Sequence, residues 1–367
     1  MIVYIIMLLL SLICCYYSSK VKDNNKKILL SVFSALPFIV VAGIRYDVGT
    51  DYMFRYVPDY INIANGNTVE NLELLFYFLI RICIFITHDY WLLFFISAAI
   101  TFSLIFKTIY EESNNKLLSI FIFFISSMFF ISLNLMRQYI SIAIIYSTYK
   151  YLINDKYLKW VISVIIASLF HTVSLVFLLA FFLKNKKINI YLYFVLLIVL
   201  IIFGKSIVEL FLSLFSRINI SNLKKYSAYV SINGNFSWSH FLVELSILLY
   251  YLLVIKLKNI KMKTIDIFYL NCQYLVLLFS VLNTYNELFL RISFVFSIFQ
   301  ISSIPYFYIK NKNMKTKEYK NVIIFREPIM IGFIIVMLSS RLIYSNIIKN
   351  SVDILPYQTI FNRGEIE

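Results

Sequence analysis

The sequence predicts an all-α polytopic membrane protein, a bundle of about 10–12 transmembrane helices with two larger outward-facing loops. Three observations carry that prediction. Hydrophobic residues make up 61% of the 367-residue chain and charged residues only 14%, against roughly 45–50% and 25% in soluble domains. Mean hydropathy is +0.81, and the apolar residues fall in long runs separated by short lysine clusters. Aromatic residues reach 18%, as in a bundle whose ends sit among lipid headgroups.

A crossing helix needs about 20 predominantly apolar residues. The clear candidates, in order, are Ile2–Ser18, Ile28–Ile44, Tyr90–Tyr110, Leu117–Leu133, Tyr139–Ile153, Ile190–Phe203, Phe241–Ile255, Ile267–Thr284, Ile292–Ile309 and Ile329–Ile348. The first run has no basic n-region and no small-residue cleavage pattern, so it reads as a retained span. Two segments are equivocal: Leu72–Thr87 is short and carries Arg81, and Trp160–Leu183 is long but holds His171 at its middle. If both cross, there are about twelve spans; if neither does, about ten.

Lysine clusters orient the chain. Lys20 to Lys27, Lys184 to Lys187, Lys256 to Lys263 and Lys310 to Arg326 all belong on the cytoplasmic side. The outer face then receives a first loop (45–71), a second loop (204–240), the Tyr285–Arg291 corner and the tail (349–367), within a single membrane domain spanning 1–367. In the second loop, Lys205–Ser216 keeps a helical apolar pattern and reads as an interfacial helix, and Asn233-Gly234-Asn235 is a turn signal. The ten-span layout puts every lysine cluster inside and Arg45, Arg137 and Arg291 outside. The twelve-span layout puts Arg137 inside.

The net charge of +15 is lysine arranged to orient spans and to meet anionic lipid, and no nucleic-acid partner is expected. Cys14, Cys15, Cys83 and Cys272 lie in apolar runs without metal-ligand spacing and read as small buried hydrophobes. No phosphate-binding loop, dinucleotide fingerprint or zinc motif is present in the sequence, so neither a metal nor a cofactor is expected.

Chemistry is concentrated at Arg45-Tyr46-Asp47-Val48-Gly49-Thr50-Asp51-Tyr52, continuing to Arg55, Tyr56, Asp59 and Tyr60. Gly49-Thr50-Asp51 has turn and N-cap character, yet carboxylates, phenols and arginines beside a span end also suit a sugar-phosphate ligand. Arg81, Arg137, Arg291 and Arg341 lie in or beside apolar runs. A charge there costs roughly 2.5–3.5 kcal/mol and marks a pair or a wet cavity. The guanidinium fork fits phosphate bidentately, which makes Arg45, Arg55, Arg137 and Arg291 candidates for a diphosphate, with Tyr52 and Gln138 beside them. Glu287 and Arg291 are four apart and share a helix face. His171 is suited either to proton transfer or to a structural hydrogen bond.

Gly43-Ile44-Arg45-Tyr46-Asp47-Val48-Gly49-Thr50-Asp51-Tyr52 resembles the first outer-loop signature of the EpsG/Wzy-type polysaccharide (O-antigen) polymerases. Asn134-Leu135-Met136-Arg137-Gln138, the Ala167–Ser174 stretch with His171, Arg291 and the tail Leu355-Pro356-Tyr357-Gln358-Thr359-Ile360-Phe361 fit the same family in order. The resemblance implies an inner-membrane glycosyltransferase that polymerises oligosaccharide repeat units carried on undecaprenyl diphosphate. Its expected partners are that lipid-linked oligosaccharide, membrane lipid and a chain-length regulator. Arg45, Arg137 and Arg291 would hold the diphosphate, and Asp47, Asp51 or His171 would act on the acceptor hydroxyl. A ligase of neighbouring chemistry and a lipid-oligosaccharide flippase are the alternatives; a flippase calls for two related halves, and no internal repeat is seen.

Overall fold

Apolar runs fold into helices here because lipid leaves backbone polar groups no other partner. The structure, a computed structural model, describes residues 1–217, 237–257, 260–313 and 327–365. α1 (Ile2–Lys20) and α2 (Asn24–Gly43) form an antiparallel pair, and the Asp23 side chain caps α2 by accepting from the Asn25 and Lys26 N–H groups. A π-helical turn (Tyr52–Tyr56), α3 (Val57–Ala64) and α4 (Leu74–Ile86) follow. Next come α5 (Trp91–Glu112), α6 (Lys116–Ile125), α7 (Met128–Asn134), α8 (Met136–Ile153), α9 (Tyr157–Ser168), a 3-10 stretch (Thr172–Leu178) and α10 (Leu179–Leu183). The C-terminal half holds α11 (Ile190–Arg217), α12 (Trp238–Leu257), α13 (Thr264–Leu282), α14 (Leu288–Ser297), α15 (Gln300–Asn313) and α16 (Glu327–Leu342), the last continued by a π-helical stretch (Ile343–Ile348). Among the described residues, strand structure is limited to one isolated bridge, Arg45 to Thr359.

Among the described residues, seven helices are long and apolar enough to cross a membrane, and up to nine crossings result if each of two bent pairs counts as one. Those pairs are α6/α7, bent by 54°, and α14/α15, bent by 45°. α8 runs beside them for 18 residues, but Arg137, Gln138 and Lys150 dilute its apolar content. Counting α8 gives ten passes through the bundle.

Neither equivocal segment crosses. α9 is 12 residues, about 18 Å at 1.5 Å per residue, too short for a hydrocarbon core of about 30 Å. It enters at Asp155, turns at Phe170–His171, and the chain returns to Lys184, whose ammonium bonds Asp155 and the Leu152 carbonyl. The result is a re-entrant hairpin with both feet at one end. α4 begins and ends at the opposite end, where the Thr87 carbonyl accepts from Tyr60 Oη at 2.7 Å, and Arg81 on it is exposed.

Charge is segregated along the bundle. Lys150 meets Glu111 and Glu112 at 2.8 and 3.0 Å, and Lys310 meets Asp266; these pairs share one end with Lys184. Arg45, Arg137, Arg291 and the described part of the tail share the other. The Lys205–Ser216 segment is a continuation of the 28-residue α11 rather than a separate interfacial helix, because its apolar pattern keeps the register of the preceding run. The Asn233–Asn235 turn signal lies outside the described residues. All four cysteines are free, and Cys15, Cys83 and Cys272 are buried.

Candidate functional site

The Arg45–Tyr52 segment is a strap. α2 stops where Gly43 lies against Phe95, whose ring a Cβ would meet at 2.6 Å. Arg45 then points inward: 2% exposed, it donates from Nη2 to the Leu133 carbonyl at 2.6 Å. Its guanidinium also lies 5.2 Å from the Phe94 ring centre and 5.8 Å from that of Tyr52. Burial pushes this guanidinium's pKa below its ordinary value. Tyr52 is fully buried, stacked on Phe94 at 4.0 Å, and donates to the Arg45 carbonyl.

Gly49 has φ +104°, and a Cβ there would collide with the Asn134 side chain, so both conformation and space require glycine. The tail locks the strap: Tyr46 N–H bonds the Gln358 carbonyl at 3.0 Å and Ile360 N–H bonds the Ile44 carbonyl at 2.9 Å. Asp47, at φ 48°, is exposed on the outside of the turn.

Arg137 and His171 meet through a residue that sequence reasoning passed over. Glu73 accepts from Arg137 Nη1 at 2.8 Å on one oxygen, and its other oxygen lies 3.0 Å from His171 Nδ1. All three side chains are under 10% exposed. The hairpin tip is thereby tied to the start of α4, and the Leu75 N–H to Leu169 carbonyl bond of 2.9 Å completes the tie. Gln138 donates to the Arg291 carbonyl at 2.6 Å. Arg55 sits 4.0 Å from Asp59 at the periphery, and burial raises the Asp59 carboxyl above its ordinary value while Arg55 and Arg137 pull it back.

Beside this scaffold opens a polar cleft of about 460 Å³. Of the residues singled out in the sequence as site candidates, Asp51, Glu287 and Arg291 line it. Arg45, Tyr52, Arg137, Gln138 and His171 do not; they are buried in the bonds just described. Arg55 and Asp47 lie outside it as well. The cleft gains cations from Arg341 and Lys349 and an imidazole from His240. Ser127, Asn283 and Asn346, also in its wall, carry buried polar atoms with no hydrogen-bond partner.

Beneath the cleft, Glu244 of α12 accepts from Arg341 at 3.3 Å, Gln300 at 2.5 Å and Gln273 at 3.1 Å. The sequence held a signal for this cluster, since Glu244 lies within an apolar run where a carboxylate demands partners. Among the described residues, no group of three His, Cys, Asp or Glu is gathered in a metal-binding arrangement. A cleft offering arginine forks, an ammonium, carboxylates and amides at one end of a membrane bundle can bind a charged, hydroxyl-rich head group.

The EpsG family's sequence profile matches residues 28–359 of this chain. The chain belongs to the EpsG family. It is a multi-pass membrane protein of polysaccharide biosynthesis, of the polymerase type. The matched span takes in the strap, the Glu73–Arg137–His171 trio, the cleft and the tail strand partner Thr359. No curated protein and no solved structure matches the chain.

Proposed function

We propose that this EpsG-family protein polymerises undecaprenyl-diphosphate-linked oligosaccharide repeat units on the outer face of a bacterial plasma membrane. One observation carries the reading: a cationic cleft and an apolar groove are both built on the same two helices, α12 and α16. The groove, of about 440 Å³, lies between α12 and α16, lined by Leu242, Leu245, Leu249 and Leu253 on one side and Ile329, Phe333 and Met337 on the other. His240 of α12 and Arg341 of α16 line the cleft, and Met337, one turn before Arg341 on α16, lines the groove. A diphosphate held above and a polyprenyl chain laid below match this juxtaposition in both charge and polarity.

The lysine end of the bundle is cytoplasmic by the positive-inside rule, so the cleft faces outward. Arg291 and Arg341 grip the diphosphate and stabilise the charge it gains as the glycosyl bond breaks. Asp51, Thr50 and Glu287 receive sugar hydroxyls. Arg45, Tyr52, Gln138 and the Glu73–Arg137–His171 trio hold the walls in place.

Deleting the gene tests the reading. The mutant should display single repeat units on its surface glycan and no long chains, with restoration by the wild-type gene. Loss of even single units would point to a flippase or ligase instead, and persistence of long chains would sink the proposal.

A further inference from the structure

We infer that His240 accepts the proton of the attacking hydroxyl, in the place that the sequence offered to Asp47, Asp51 or His171; the inference rests on the polymerase reading above. His240 opens α12 at the mouth of the cleft and is 6% exposed. Neither of its ring nitrogens has a hydrogen-bond partner, although the ring is buried and lines the cleft. Leaving a buried polar group unsatisfied costs on the order of 1–3 kcal/mol, and proteins keep such groups where a ligand completes them. The other imidazole in question, that of His171, is engaged by Glu73 outside the cleft.

The surroundings of His240 suit the task. Glu244, one turn further along α12, places Oε1 3.8 Å from His240 Nδ1. Gln273 of α13, Gln300 of α15 and Arg341 of α16 fix that carboxylate in position. Across the cleft lie Asp51, Glu287, Arg291 and Lys349. An imidazolium formed during transfer would sit beside Glu244, as the orienting carboxylate of a base requires.

The step balances. The acceptor O–H proton passes to an imidazole nitrogen as the oxygen bonds to the anomeric carbon of the donor chain. The bond from that carbon to the diphosphate oxygen breaks, its electron pair leaving with the lipid diphosphate, which Arg291 and Arg341 receive. The imidazolium then loses its proton to water.

The test uses the full chain in liposomes and, as substrate, the lipid-linked oligosaccharide extracted from the deletion strain, read as a glycan ladder on a gel. A wild-type protein that makes no ladder overturns the polymerase reading and this inference with it. If wild type elongates, His240→Ala and His240→Asn should each lower kcat by about 10²–10⁴-fold, the range for losing a general base, with KM near wild type. The fall in wild-type rate toward acid pH should vanish in both variants, and added imidazole should restore part of the His240→Ala rate. Wild-type kcat in either variant overturns the inference while leaving the polymerase reading intact. So does a loss of rate with an unchanged pH profile and no imidazole rescue.

Discussion

Replacing Glu73 by Gln separates a scaffold role from a chemical one for Arg137 and His171. The carboxylate is 5% exposed and bonds Arg137 at 2.8 Å and His171 at 3.0 Å. An exposed ion pair would contribute at most about 1 kcal/mol, but this one is out of solvent. Removing one partner of a buried pair costs about 3–5 kcal/mol, chiefly because the other charge stays buried. Gln keeps the shape and one acceptor oxygen, so about 3 kcal/mol is expected. The midpoint of thermal aggregation in one detergent should fall by several degrees, and the level of protein in the membrane should fall with it. Adding Arg137→Met removes the stranded charge and should recover more than half of the lost stability and of the glycan chain length. A Glu73→Gln protein with wild-type thermal stability but no polymer would refute this reasoning, because the trio would then be acting on substrate.

Arg45 and Arg291 should part company. Arg45→Ala strips the Leu133 carbonyl of its donor and opens a hole beside Phe94, so it should lower the same aggregation midpoint; Arg291→Ala should abolish glycan polymer on a gel while the protein still reaches the membrane. Gly49→Ala should destabilise by about 1–3 kcal/mol through its φ of +104° and the clash with Asn134, read as the drop in midpoint relative to Gly332→Ala, whose Cβ meets nothing within 4 Å on a regular helix. A cysteine placed at exposed Asn67 should label from outside intact cells while one at Asp155 should not; labelling at Asp155 would overturn the ten-pass topology.

Most of the helical order was legible because each pass through lipid must be apolar over its length. The Leu74–Ile86 and Trp160–Leu183 segments resisted reading for a physical reason. Their apolar content satisfies a membrane environment equally well as a crossing or as a hairpin, and the choice is made by Lys184 closing onto Asp155 and by Glu73 meeting His171. The site was half legible. Asp51, Glu287 and Arg291 stood out as charges beside span ends, and they line the cleft. Arg45 and Arg137 stood out by the same signal, yet they neutralise their burial cost against a carbonyl, rings and Glu73. A charge in an apolar setting announces that it has a partner, and sequence does not say whether the partner is protein or ligand. Arg341 stood out in the same way and has both, a bond to Glu244 and a place in the cleft wall; His240 shows the converse, since no motif marks it and only packing brings it to the cleft.

Backbone irregularity explains why the cleft sits where it does. Helices in lipid stay regular because a broken hydrogen bond has no water to replace it, so breaks at membrane depth are tolerated where they line a cavity. The α6/α7 pair breaks at Ser127, in a left-handed conformation at φ 66°. α7 and α8 part at Leu135, and α16 loosens into a π-helical stretch from Ile343. Ser127, Asn134, Leu135, Tyr344 and Asn346, from all three breaks, line the same cleft. The strap signature serves this arrangement: Arg45 holds the Leu133 carbonyl at the end of α7, Gly49 lets the strap lie on Asn134, and Thr50 and Asp51 thereby reach the cleft wall. The signature of this first loop therefore records the demands of bracing a broken helix and of carrying Thr50 and Asp51 to the cleft, whose cations and imidazole come from segments far along the chain.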